Sequence, residues 1–142
     1  MADVAAEQLV VDASVAVAAL LSGDRGFAAF VGHRLVAPPL LWPEARSALH
    51  QLSWRGDLPS EEVTSAHARL SGCPIRARNP DGLGPAAWAI ADRYGWAKTY
   101  DAEYVALAEL LGSRMITLDR RLRDRVADPT MVIGPTELAD TL

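Results

Sequence analysis

Gln8-Leu9-Val10-Val11-Asp12 is an apolar run of strand length that ends on a carboxylate, and the Ala/Val/Leu segment over residues 14–21 behind it reads as a helix stopped by Gly23. The same alternation continues along the chain. Residues 27–31 suggest a further short helix, and residues 35–37 form a brief strand closed by Pro38 and Pro39. Pro43 suits a first helical position, and Ala45, Ala48, Leu49 and Leu52 make an apolar stripe running toward Trp54, with Gly56 beyond. Ser60 is an expected N-cap, with Glu61 and Glu62 in the first turn and Val63, Ala66 and Leu70 at helical spacing as far as Gly72.

The second half repeats the pattern. Residues 75–78 read as an edge strand, and the Pro- and Gly-bearing stretch 79–85 as a loop before a helix from about Ala86 to Tyr94. A helix starting near Asp101 presents Tyr104, Val105, Ala108 and Leu111 on its apolar face and ends at Gly112. Residues 114–118 form a strand that delivers Asp119, and residues 131–133 a last strand. Short strands alternating with helices predict an α/β fold, a three-layer α/β/α sandwich on a mainly parallel sheet, because parallel neighbours require crossover connections. A length of 142 residues suits one domain with one core, spanning residues 1–142.

Composition narrows the function classes. Half the residues are apolar and 23% are charged, a globular balance that excludes a disordered chain. The longest apolar run, residues 9–21, is interrupted by Asp12 and Ser14 and is too short for a bilayer crossing, which takes about 20 residues. Residues 1–8 carry Asp3 and Glu7 and no basic side chain, unlike an export signal, so a cytoplasmic location is expected. Cys73 is the single cysteine, which removes internal disulfides, thiolate zinc sites and redox pairs. A net charge of −4 argues against nucleic-acid binding by broad phosphate neutralisation alone. It leaves room for a carboxylate centre whose bound cations supply the positive field.

Four acids stand at element ends. Asp12 and Asp119 follow apolar strands, at the carboxyl side of a parallel sheet where ligands bind. Glu44 and Asp101 open helices, where stabilisation of an anion by the helix dipole is an equally good explanation for each taken alone. Four carboxylates brought together raise one another's pKa unless cations lie between them. Hard oxygen donors suit Mg²⁺ or Mn²⁺, ions that promote in-line displacement at phosphorus.

Val10-Val11-Asp12-Ala13-Ser14, Pro43-Glu44, Tyr100-Asp101-Ala102-Glu103-Tyr104 and Ile116-Thr117-Leu118-Asp119-Arg120, in this order, resemble the acidic motifs of PIN-domain ribonucleases. The likeness runs from Leu9 to about Leu138 and is strongest to VapC-type toxins of toxin-antitoxin pairs. It implies Mg²⁺- or Mn²⁺-dependent endoribonuclease cleavage of RNA to a 5′-phosphate product, a homodimer, and inhibition by a small cognate antitoxin. Asp12, Glu44, Asp101 and Asp119 are then the catalytic, metal-binding acids, with Ser14 and Thr117 as accessory hydroxyls; an N-cap role for Ser14 and an ordinary strand role for Thr117 remain equal alternatives. Glu103 and Asp124 read as a solvated helix face.

Arg114, Arg120 and Arg121 flank Asp119 and are candidates to guide an RNA backbone, against the equal alternative of a charged helix surface. No histidine has ligand spacing, and Trp42, Trp54, Trp88 and Trp96 suit core or interface positions. An aspartyl-phosphate phosphatase or phosphoacceptor also places an Asp after its first strand, yet it needs a positioned lysine and, as a phosphatase, D-x-D. Lys98 precedes a helix and Ala13-Ser14 follows Asp12, which ranks that alternative lower. A catalytically silent PIN-like binding module is marked by loss of an acid, and all four are present.

Overall fold

The computed structural model describes residues 6–128 and 130–140. In chain order the elements are β1 (Glu7–Val11), α1 (Ala13–Leu21), β2 (His33–Ala37), α2 (Leu41–Trp54), α3 (Ser60–Leu70), β3 (Ile75–Ala77), α4 (Leu83–Tyr94), α5 (Tyr100–Leu111), β4 (Arg114–Ile116), α6 (Arg120–Arg125), β5 (Val132–Ile133) and α7 (Pro135–Asp140). The strands pair in the order β3-β2-β1-β4-β5, every pair parallel. Helices flank this sheet as an α/β/α sandwich, as the alternating sequence pattern predicts.

The central strands are apolar without alternation because both faces are covered. Leu9, Val10, Val11, Met115 and Ile116 are fully buried. Connections from β1 to β2 and β2 to β3 step one way across the sheet, whereas the link from β3 to β4 jumps back past β1. Right-handed crossovers put opposite steps on opposite faces. Accordingly α1, α2 and α3 pack together, and α4 packs on α5. A satellite core of Leu20, Ala45, Leu49, Val63, Ala66 and Leu70 welds the first group. The reversal falls between β1 and β4, the point at whose carboxyl ends an open parallel sheet generally binds its ligands.

Several boundaries differ from the sequence expectation. The second and fourth helices start at Leu41 and Leu83, so Pro43 and Pro85 are third helical residues. Both remain in the first turn, where a missing N–H costs no bond. Pro59, rather than Ser60, holds the cap position of α3, and no side chain caps that helix. The short helix anticipated at residues 27–31 is a 3₁₀ turn, Ala28–Phe30. Helix α6 realises the charged helix surface that its arginines offered as an alternative, whereas α7 carries no sequence signal, six residues being too few for a periodic pattern. Side-chain bonds hold them: Asp119 caps α6, and Glu137 accepts from the Gly134 N–H and pairs with Arg123. Gly112 has φ 61°, a left-handed C-cap that turns the chain directly from α5 into β4.

Candidate active site

The last residue before α1 is the centre of the site. Asp12 has extended backbone angles and caps α1, its Oδ1 accepting from the Val15 N–H at 3.2 Å. Ser14 Oγ donates to the same oxygen at 2.6 Å, and Thr117 Oγ1 donates to Oδ2. Both hydroxyls then accept from backbone of the turn after β4: Leu118 N–H to Ser14 at 3.1 Å and Asp119 N–H to Thr117 at 3.0 Å. Each hydroxyl has one proton, and these backbone donors leave it aimed at Asp12. The ends of two adjacent strands are thereby tied through one carboxylate.

Asp12 is 7% exposed and Thr117 is fully buried. A buried carboxylate with three donors and no cation in contact is costly to ionise. Burial pushes the Asp12 pKa up, opposed by the bonds from Ser14, Thr117 and Val15 and reinforced by the charge of Asp101. Burial likewise raises Glu44, with Asp101, Asp12 and Glu103 adding repulsion. Asp101 is raised by burial and by Asp119, against a lowering by Arg125. The four acids singled out in the sequence thus lie within electrostatic reach of one another, linked in sequence from Glu44 through Asp12 and Asp101 to Asp119.

Among the described residues no three side chains close into a ready-made metal shell. Instead each acid is held by its own neighbours. Glu44 accepts from Tyr104 Oη at 2.5 Å, Asp101 faces Arg125 at 3.5 Å, and Asp119 caps α6 through the Arg121 and Leu122 N–H groups at 2.9 and 3.3 Å. Mg²⁺, which keeps several waters and attaches through one or two carboxylates, is the ion that asks least of such a spaced set. A softer metal calling for sulfur or imidazole finds no such donors here.

Tyr104 and Glu103 play parts at the site that the sequence pattern alone does not show. Tyr104 was assigned only to an apolar helix face; it is 2% exposed, and its hydroxyl grips Glu44. Its position three residues after Asp101, on the same helix face, was the available signal. Glu103, expected on a solvated face, is part-buried with a raised pKa and acts on Glu44. Arg125 lies beside Asp101 and over the Trp96 ring, 4.9 Å from its centroid.

The arginine candidates separate. Arg120 and Arg121 are exposed in the first turn of α6, next to Asp119. Arg114 starts β4, at the opposite end of the strand from the acids, and makes a bidentate pair with Glu7 at 2.8 and 3.0 Å. Lys98 is exposed and precedes α5, away from any strand end.

Residues 9–128 match the PIN domain family model. The chain belongs to the PIN-domain family. Over 116 residues it is 34% identical to ribonuclease VapC9 of Mycobacterium tuberculosis, an alignment covering 82% of this chain and 89% of that one. A 39-residue stretch is 49% identical to ribonuclease VapC3 of Pyrobaculum aerophilum, covering 28% of this chain and 29% of the relative. Among solved structures, PAE2754 from Pyrobaculum aerophilum superposes with a TM-score of 0.71 at 25% identity, over 95% of this chain and 97% of the other. A chain of a toxin-antitoxin complex from Klebsiella pneumoniae shares the PIN fold at a TM-score of 0.61 and 18% identity, over 89% and 97%.

Proposed function

We propose that this PIN-domain chain is the endoribonuclease toxin of a toxin-antitoxin pair and that its cleavage depends on Mg²⁺ or Mn²⁺. The observation that carries the reading is Asp12: buried, tied by two hydroxyls at the carboxyl end of the central strands, and coupled to Glu44 and to Asp101, which is in turn coupled to Asp119. Such a cluster is stable in its ionised form when divalent cations share its charge. Asp12, Glu44, Asp101 and Asp119 would hold the ions, which when bound lower the pKa of water and neutralise charge on the phosphodiester.

The chain's own residues supply position. Ser14 and Thr117 fix the plane of the Asp12 carboxylate, and Tyr104 holds Glu44 toward the rim. In the reaction a water oxygen bonds to phosphorus and the bond to the 3′ oxygen breaks, leaving a 3′-hydroxyl and a 5′-phosphate. Arg120 and Arg121 stand at a helix N-terminus, where the dipole disfavours cations. Service to an RNA phosphate explains that placement better than helix stability does. Arg114, committed to Glu7, is left with a structural role.

A small antitoxin partner and a homodimer follow from the family. A cytoplasmic location belongs to the same reading, and no helix among the described residues is long and apolar enough to cross a membrane. Incubation of purified protein with RNA in Mg²⁺, Mn²⁺ or chelator tests it. Cleavage in metal only, giving 5′-phosphate ends, is the expected result; equal cleavage in chelator rejects the metal-dependent mechanism.

A further inference from the structure

The free edge of the sheet carries a second positively charged feature that the acidic centre does not use. A groove of about 430 Å³ runs along β2 and β3, and its lining includes Gln8, His33, Arg34, Arg76 and Arg78 but no carboxylate. The register explains how three arginines meet there. Gln8 pairs with Arg34 and Val36 with Arg76, and in-register neighbours of a parallel sheet point to one face. Arg34 and Val36 share that face as alternate residues of β2, and Arg78 follows Arg76 by two, continuing the ladder through its N–H to Ala37 O at 2.8 Å.

Among the described residues none of these guanidinium groups is neutralised. Arg34 reaches only the Ala6 carbonyl, at 3.2 Å, and the side chains of Arg76 and Arg78 have no partner among the described residues. The nearest acid in the ladder, Glu7, is taken by Arg114 and by His33 at 3.7 Å. Arginines gathered on a flat apolar face without acids repel one another, an arrangement that favours a polyanion.

We propose that this edge groove is a phosphate-backbone exosite, in which Arg34, Arg76 and Arg78 hold the RNA strand away from the cleavage centre. The proposal rests on the ribonuclease reading. Geometry favours a nucleic-acid backbone over an acidic peptide: Arg76 and Arg78 are spaced along an extended strand by about 6.6 Å, a ladder of point contacts for a repeating charge. Arg78 lies past the carboxyl end of β3, on the same rim of the sheet as Asp12. A strand leaving the acids therefore meets Arg78 first and Arg34 last.

The test is binding of a fluorescein-labelled single-stranded oligouridylate to Asp12→Asn protein, with and without Arg34→Ala, Arg76→Ala and Arg78→Ala together. The triple change is expected to weaken binding roughly tenfold at low salt and to flatten the slope of log affinity against log salt by about 2. The corresponding triple Lys variant, which keeps the charge, retains most of the affinity and controls for folding. Unchanged affinity and slope, with wild-type cleavage intact, overturns the exosite and leaves the ribonuclease reading standing. Unchanged RNA affinity with lost binding of a polyglutamate peptide overturns it in favour of a protein partner. Absence of both binding by the parent and cleavage by the wild type overturns the two proposals together.

Discussion

Strand β1 begins with one carboxylate and delivers another, and their fates are opposite. Glu7 meets Arg114 in a bidentate pair and His33 beside it, and the guanidinium bond holds its pKa below the ordinary value. Asp12, just past the other end, meets two hydroxyls, a backbone amide and more acids, and burial drives its pKa up. The first end is a closed ion pair and the second an uncompensated charge. What separates the structural acid at one end of β1 from the proposed catalytic one at the other is that the protein supplies a cation to Glu7 and none to Asp12.

The contrast breaks most visibly if Asp12 is neutralised. Asp12→Asn keeps the N-cap, since Asn caps as well as Asp, and is expected to lower kcat on the order of 10²-fold or more while the protein stays folded. RNA cleavage assays beside circular dichroism check this, and near-native turnover would place the chemistry elsewhere.

The supporting bonds come next. Thr117→Val removes the hydroxyl that joins Asp12 to the Asp119 amide, and Tyr104→Phe removes the donor to Glu44. Each is expected to reduce activity about tenfold, the usual scale for groups that orient metal-binding residues. Thr117→Ser should restore most of the loss. For Tyr104→Phe the Glu44 pKa rises further, because the lost bond favoured its ionised form, so the acid limb of the pH-rate profile moves to higher pH. An unmoved limb would show that Glu44 ionisation does not govern the rate.

A third measurement sets the two ends of β1 against each other through pH. Asp12 has a folded pKa above its unfolded value near 3.8, so the folded chain binds more protons and loses stability as pH rises from there through the folded pKa. Glu7 has a lowered folded pKa, so its contribution is present above about 4.5 and is lost as pH falls through the folded value. In chelator, the stability advantage of Asp12→Asn over wild type should therefore grow as pH rises above 4, and shrink when Mg²⁺ is added. Urea denaturation at a series of pH values reads the difference; a constant offset would contradict the assigned shift.

The smallest effect belongs to the closed pair. Arg114→Ala is expected to cost roughly 0.5 kcal/mol, the scale of a partly exposed salt bridge, and to leave cleavage unchanged. A large loss of activity would return Arg114 to the RNA path.

The sequence exposed the parallel sheet and the ordered acids because continuous apolar runs and strand-end carboxylates are local signals. Residues 9–11 and 115–116 needed no tertiary knowledge to be read as buried strands. What stayed hidden depends on contacts distant in sequence. Tyr104 and Glu44 are separated by 60 positions and Arg114 and Glu7 by 107, and only the assembled sheet shows that one pair serves the rim and the other closes the far end. Ser14 was ambiguous between cap and accessory hydroxyl for the same reason. Asp12 takes the cap, which frees Ser14 to hold Asp12 and the turn after β4.

That double hydroxyl tether has a consequence for how activity arises during synthesis. Its two halves lie 105 positions apart, and β4 enters the sheet directly against β1. Until residues 114–119 have emerged and docked, Asp12 lacks Thr117 and the turn that carries Asp119, and the proposed cleavage centre is unfinished. A nascent chain therefore carries the parts of the proposed centre separately until the central strands close.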